Sequence, residues 1–91
     1  MKVYLVWHDL WWDWGSNDAV RDVSLVKVFT TKELAIDYIK SVNASLSVDD
    51  ASELEPLEDT WSEEKLSRTI EFRYDRVVLY VDERELIGEL P

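Results

Sequence analysis

The sequence predicts an α+β fold: a three- or four-stranded antiparallel sheet with one main helix packed on one face, in β-β-α-β order. Three observations carry this reading. Apolar side chains alternate over residues 2–10 and again over 69–81, and between them an apolar stripe recurs at three- and four-residue spacing. With 91 residues the chain can bury one modest core, so residues 1–91 are expected to form a single domain.

The first strand is read from Lys2 to Leu10, with Val3, Leu5 and Trp7 on one face and Tyr4, Val6 and His8 on the other. Both faces are largely apolar, which suits an interior strand. Trp11, Trp12, Trp14, Gly15, Ser16, Asn17 and Asp18 follow, a loop signal in its second half. The second strand is expected from Arg21 to Phe29, with Val23, Leu25 and Phe29 on one side and Val26 and Val28 on the other. The two strands form an antiparallel hairpin with a long tip. A helix comes next. Thr30 stands as N-cap with Glu33 at N3, the spacing of a capping box, and Phe29 and Leu34 are placed for a hydrophobic staple. Leu34, Ala35, Tyr38, Ile39, Val42 and Leu46 give the stripe that lies on the sheet, and Asn43 marks the helix end.

The segment Ser41–Glu64 has Pro56 in it and little periodicity, so it reads as a loop, with room for one short turn of helix on either side of the proline. Thr60 and Glu63 repeat the capping-box spacing, which allows a short helix from Trp61 to Ser67. Then Ile70, Phe72 and Tyr74 alternate, and Val77, Leu79 and Val81 alternate out of phase with them. The slip near Asp75 and Arg76 is read as a β-bulge in one long strand, because the Asn-Gly or Asp-Gly of a tight hairpin is missing. Residues 82–91 form a polar tail in which Leu86 and Ile87 can pack back. With one helix on one face, the other face of the sheet is open or covered by a partner.

Charge is concentrated. Twenty acidic and ten basic residues give a net charge of -10. Eight of the acids (Asp49, Asp50, Glu53, Glu55, Glu58, Asp59, Glu63, Glu64) lie in Ser41–Glu64, which holds no Lys or Arg and so carries -8. Twenty less eight leaves twelve acids against ten bases elsewhere, a nearly balanced body. A concentrated anionic surface repels phosphate backbones, so direct nucleic-acid binding is not expected, and it attracts proteins whose own surface is basic. A solvated acidic loop that keeps the protein dissolved is the plainer reading of the same residues.

Tryptophan is the second unusual feature. Five occur, and Trp7, Trp11, Trp12 and Trp14 fall within eight positions. They cannot all enter one small core, and consecutive Trp11 and Trp12 face opposite ways if the strand continues. Trp11, Trp12, Trp14 and Trp61 are therefore candidate partner-binding anchors, beside the plainer role of closing the end of the core.

No catalytic, metal or cofactor site is expected. The chain has no cysteine, which removes disulfides, thiolate ligands and a Cys nucleophile and makes a reducing cytoplasm the default compartment. His8 is the only histidine, so neither a two-histidine metal site nor a Ser-His-Asp arrangement has support, and His8 with Asp9 and Asp13 matches no metal-ligand spacing. Ser16 and Ser24 lack a nucleophile-elbow context, and two glycines, Gly15 and Gly88, do not make a phosphate loop. His8 and Asp9 interrupt the opening apolar run too early for a secretory leader, and no run has the length of a membrane span. A soluble, non-membrane protein is expected.

The opening Lys2-Val3-Tyr4-Leu5-Val6-Trp7-His8, followed by Leu25-Val26-Lys27-Val28-Phe29-Thr30-Thr31-Lys32-Glu33-Leu34-Ala35, resembles a family of small uncharacterised bacterial and phage domains. These open with a strand ending in Trp-His and continue with a strand, a Ser/Thr turn and an amphipathic helix. The resemblance covers the first half of the chain and brings no activity or catalytic residues. The Trp-rich tip and the acidic loop depart from the family pattern. The resemblance implies a small accessory protein of a bacterium or a phage, and the expected compartment is the cytoplasm, that of the host if the chain is phage-borne.

Together these readings predict a non-enzymatic protein–protein interaction module whose partner presents a basic surface, as a phage anti-defence inhibitor or DNA mimic would. The alternatives are a small-ligand or carbohydrate-binding module using the Trp-rich loop, and a structural domain that pairs as a homodimer.

Overall fold

The computed structural model describes residues 1–12, 17, 20–42, 56–72 and 75–85. Its elements are β1 (Lys2–Trp12), β2 (Val20–Phe29), α1 (Lys32–Ser41), β3 (Glu58–Ser62), β4 (Ser67–Glu71) and β5 (Arg76–Glu85). The strands form one sheet in the order β2-β1-β5-β4-β3, every pairing antiparallel. The expected three- or four-stranded sheet in β-β-α-β order is thus corrected, among the described residues, to five strands in β-β-α-β-β-β order.

Two turns account for the correction. The stretch expected as a helix from Trp61 to Ser67 is a hairpin. Thr60 pairs with Thr69 and Ser62 with Ser67, and the Lys65 N–H donates to Ser62 Oγ at 3.2 Å. Thr60 and Trp61 are better suited to a pleat than to a helix start. Leu66 closes the turn with φ 48, a left-handed conformation that glycine or asparagine usually supplies. The slip at Asp75 and Arg76 is likewise a hairpin and not a bulge: Glu71 pairs with Arg76, and the Phe72 N–H donates to the Asp75 carbonyl at 2.8 Å. Residues 82–85, expected in the polar tail, continue β5 against residues 2–5 of β1, with Lys2 Nζ 3.2 Å from Glu83. Tyr74, Leu86 and Ile87 lie outside the described residues.

The helix begins one residue later than the capping box implies. Thr31 is extended (φ -129, ψ 150) and its Oγ1 accepts from the Leu34 N–H at 3.2 Å. With the cap at Thr31 the staple positions shift off Phe29 and Leu34. Leu34 is 51% exposed, and Phe29 meets Tyr38 instead at 5.5 Å between ring centroids. Ala35 and Ile39, four residues apart, are the buried pair of the helix. Val42 is the C-cap, one residue before the expected end at Asn43.

The core lies between α1 and one sheet face. Val6 and Leu10 of β1, Ile70 of β4, Val77 and Leu79 of β5, and Phe72 close around Ala35 and Ile39. Each fully buried aliphatic side chain contributes roughly 1.5–3 kcal/mol by leaving water. A bulge between Val6 and Trp7 leaves Val26 as the extra residue of β2. It also corrects the expected sides of that strand: Phe29 reaches the helix face with Tyr4, whereas Val23, Leu25 and Val28 stand opposite Asp9, Trp7 and Leu5 on the other. α1 and the segment after it carry the chain from β2 at one edge of the sheet to β3 at the other.

Candidate functional site

Two surfaces result, one at each sheet edge. At the β2 edge, the face away from the helix is uncovered among the described residues. Trp7, Asp9 and Trp11 of β1 stand there between Leu25, Val23 and Arg21 of β2 and Tyr80, Val78 and Arg76 of β5. Val20, Val23, Leu25, Val26 and Val28 are 39–53% exposed, so among the described residues five of the eight exposed large hydrophobic side chains belong to this one strand. Asp9 sits amid this apolar row yet is only 8% exposed. A carboxylate there needs a partner, and Arg21 supplies it in a two-point contact, Nε to Oδ1 at 2.9 Å and Nη2 to Oδ2 at 2.8 Å. The same guanidinium lies 5.0 Å from the Trp11 ring centroid. The Asp9 carboxylate acts first through its hydrogen bonds, then by charge, to raise the Arg21 pKa further above its ordinary value.

The β3 edge is anionic. Glu58 and Glu64 are exposed and make no ion pair among the described residues. Glu63 lies 3.7 Å from Lys40. Asp59 differs, because it is part of an internal clamp. Arg68 donates to both its oxygens, Nε to Oδ1 at 2.8 Å and Nη2 to Oδ2 at 2.6 Å, and Arg68 Nη1 donates to the Ile39 and Val42 carbonyls at 2.8 and 2.7 Å. Those carbonyls end α1 and have no further turn to bond. One guanidinium therefore ties β4, β3 and the helix terminus together. The Arg68 hydrogen bonds hold the Asp59 carboxyl below its ordinary 3.8, against a smaller opposing effect of burial.

The candidate anchors divide. Trp12 packs against the core, and Trp11 lies on the uncovered face with Arg21 over its ring. Trp61 also packs against the core, with Lys40 Nζ 4.8 Å from its ring centroid and a buried Nε1 that has no partner among the described residues. Trp14, Asp49, Asp50, Glu53 and Glu55 lie outside the described residues. The apolar row on β2 is not among the residues that sequence singles out, although Val23, Leu25, Val26 and Val28 on both sides of a strand are a visible signal. What the sequence lacks is any mark that β2 is an edge.

No family model, curated protein or solved structure matches this chain. The functional reading therefore rests on the two surfaces. Among the described residues no three metal-ligating side chains converge, no pocket opens, and no helix is long and apolar enough to cross a membrane.

Proposed function

We propose that this chain is a non-enzymatic protein–protein interaction module that masks a basic surface of its partner, in the manner of a phage-type inhibitor competing with nucleic acid. The observation that supports this is the segregation of charge: -8 of the net -10 falls in Ser41–Glu64, and the end of that segment forms the β3 edge, where Glu58 and Glu64 are exposed. Clustered like charge steers a complementary partner and speeds encounter. The pairing of Asp59 with Arg68 removes that acid from the proposed surface and leaves Glu58 and Glu64, with Glu63 exposed beside Lys40, as its acids among the described residues.

The carbohydrate reading loses support from the rings: Trp11 is covered on one side by Arg21, and Trp12 and Trp61 pack against the core. The test is affinity capture from a bacterial lysate by the wild type and by Glu58→Lys/Glu64→Lys. Nucleic-acid-binding proteins retained at low salt, released at about 0.5 M salt and lost with the double variant are expected, since exposed charges are screened within a few Å at that ionic strength. Purified partner should then lose DNA binding when this chain is added. Capture that survives both high salt and charge reversal overturns the reading.

A further inference from the structure

The two sheet edges are built differently. β3 is five residues long and carries Glu58 and Asp59, the short charged form that natural sheets use to stop further pairing. β2 is ten residues long, contains no proline, and has β1 on one side and no strand on the other among the described residues. Its backbone is a template for another strand, and its own sequence states which strand fits.

We propose that β2 pairs antiparallel with β2 of a second copy of this chain, about a two-fold axis through Ser24, to make one ten-stranded sheet. The register follows from the bulge. Past Val26 the alternation of side chains is reset by one residue, so that Val20, Asp22, Ser24, Lys27 and Phe29 share the helix side and Arg21, Val23, Leu25 and Val28 the other. Pairing around Ser24 sets Val20 opposite Phe29 of the second copy, Arg21 opposite Val28, Asp22 opposite Lys27, and Val23 opposite the Leu25–Val26 step. Every pair then falls on one side of the joined sheet. Asp22 meets Lys27 twice, once in each direction, and directly opposite residues in antiparallel strands have Cβ atoms about 5 Å apart. Shifting the axis to Val23 or to Leu25 also matches sides, but it sets Asp22 and Lys27 against Ser24 or an apolar residue and leaves the strand ends unpaired. The axis at Ser24 uses the whole strand and joins the exposed Val23, Leu25 and Val28 of both copies into one apolar row.

This pairing leaves both β3 edges free at the far ends of the sheet, roughly 40 Å apart at the usual strand spacing. It is independent of the proposed function, because β2 and β3 are opposite edges. Sedimentation velocity with a concentration series tests it on four samples: wild type, Asp22→Lys, Lys27→Asp, and an equimolar mixture of the two variants. Both positions are exposed, and circular dichroism checks that the variants stay folded. A wild-type dimer is expected, with each single variant dissociating about tenfold or more readily because two like-charge pairs replace two opposite ones. The mixture should restore the dimer. In the mixed pair the lysine introduced at position 22 faces the aspartate introduced at position 27, while the unchanged Lys27 of one copy faces the unchanged Asp22 of the other. A monomeric wild type, a higher oligomer, or single variants that dimerise as well as wild type would overturn the proposal.

Discussion

At the scale of single residues, two arginines decide how the acidic sequence is used. Arg68 is 12% exposed at its side chain and gives hydrogen bonds to Asp59 and to two helix carbonyls. Lysine offers one compact charge and cannot reproduce this fork, so Arg68→Lys should lower stability by about 1–3 kcal/mol in urea unfolding. Asp59 adds a pH signature. Its folded pKa is below 3.8 while the unfolded chain keeps the ordinary value, so its contribution is complete above 3.8 and is lost as pH falls through the folded pKa. The stability difference between wild type and Asp59→Asn should be constant near neutral pH and shrink below about pH 4, measured by thermal unfolding across pH. From sequence, Asp59 is one of eight equivalent acids. Nothing local shows that its cation is nine residues away, or that the same cation reaches a helix end 26 and 29 residues away. The crossing of strands creates that environment, and the same holds for Asp9 with Arg21, whose separation of twelve residues spans the β1–β2 connection.

At the scale of elements, alternation and helical spacing are sufficient to locate β1, β2 and α1 along the chain, though not the two faces of β2, which the bulge resets, while the second half of the chain is not readable in the same way. The reason is turn chemistry. The β3–β4 hairpin places Leu66 where a left-handed residue is needed, and the β4–β5 turn has no Asn-Gly or Asp-Gly, so neither carries the signal from which a hairpin is recognised. Pairing and burial override the local preference at Leu66, whose carbonyl accepts from the Val81 N–H at 3.3 Å. The helix start shows the opposite case, two adjacent threonines of which only geometry selects one. Thr31→Ala should cost about 1 kcal/mol and Thr30→Ala much less, a difference that chemical denaturation resolves. Ile39→Ala, which opens a cavity where the helix meets the sheet, should cost about 3 kcal/mol by the same measurement.

At the scale of the whole molecule, the sheet order puts β3, with which the anionic segment ends, and the apolar strand β2 at opposite edges, with β1, β5 and β4 between them. The sequence shows the charge clearly, because it is contiguous along the chain. It shows the apolar surface poorly, because exposure of β2 depends on β5, and not another strand, having taken the free side of β1. The centre of the sheet is this β1–β5 pairing, which runs from Lys2 opposite Glu85 to Trp11 opposite Arg76. Deleting residues 76–91 should therefore abolish the cooperative unfolding transition seen by circular dichroism, and not merely weaken it, because Val77 and Leu79 leave the core and β1 loses its neighbour.

That same pairing governs how the protein comes into being. Contacts between the first and last strands give the chain a high contact order, which places folding in the millisecond-to-second class rather than the microsecond one. During synthesis β1 emerges early and cannot close against β5 until about seventy further residues have been added, roughly 4–15 s at ordinary elongation rates. For that interval the nascent hairpin of β1 and β2 exposes the side chains that later form the core, so yield in the cell should fall when ribosome-associated holdases are depleted.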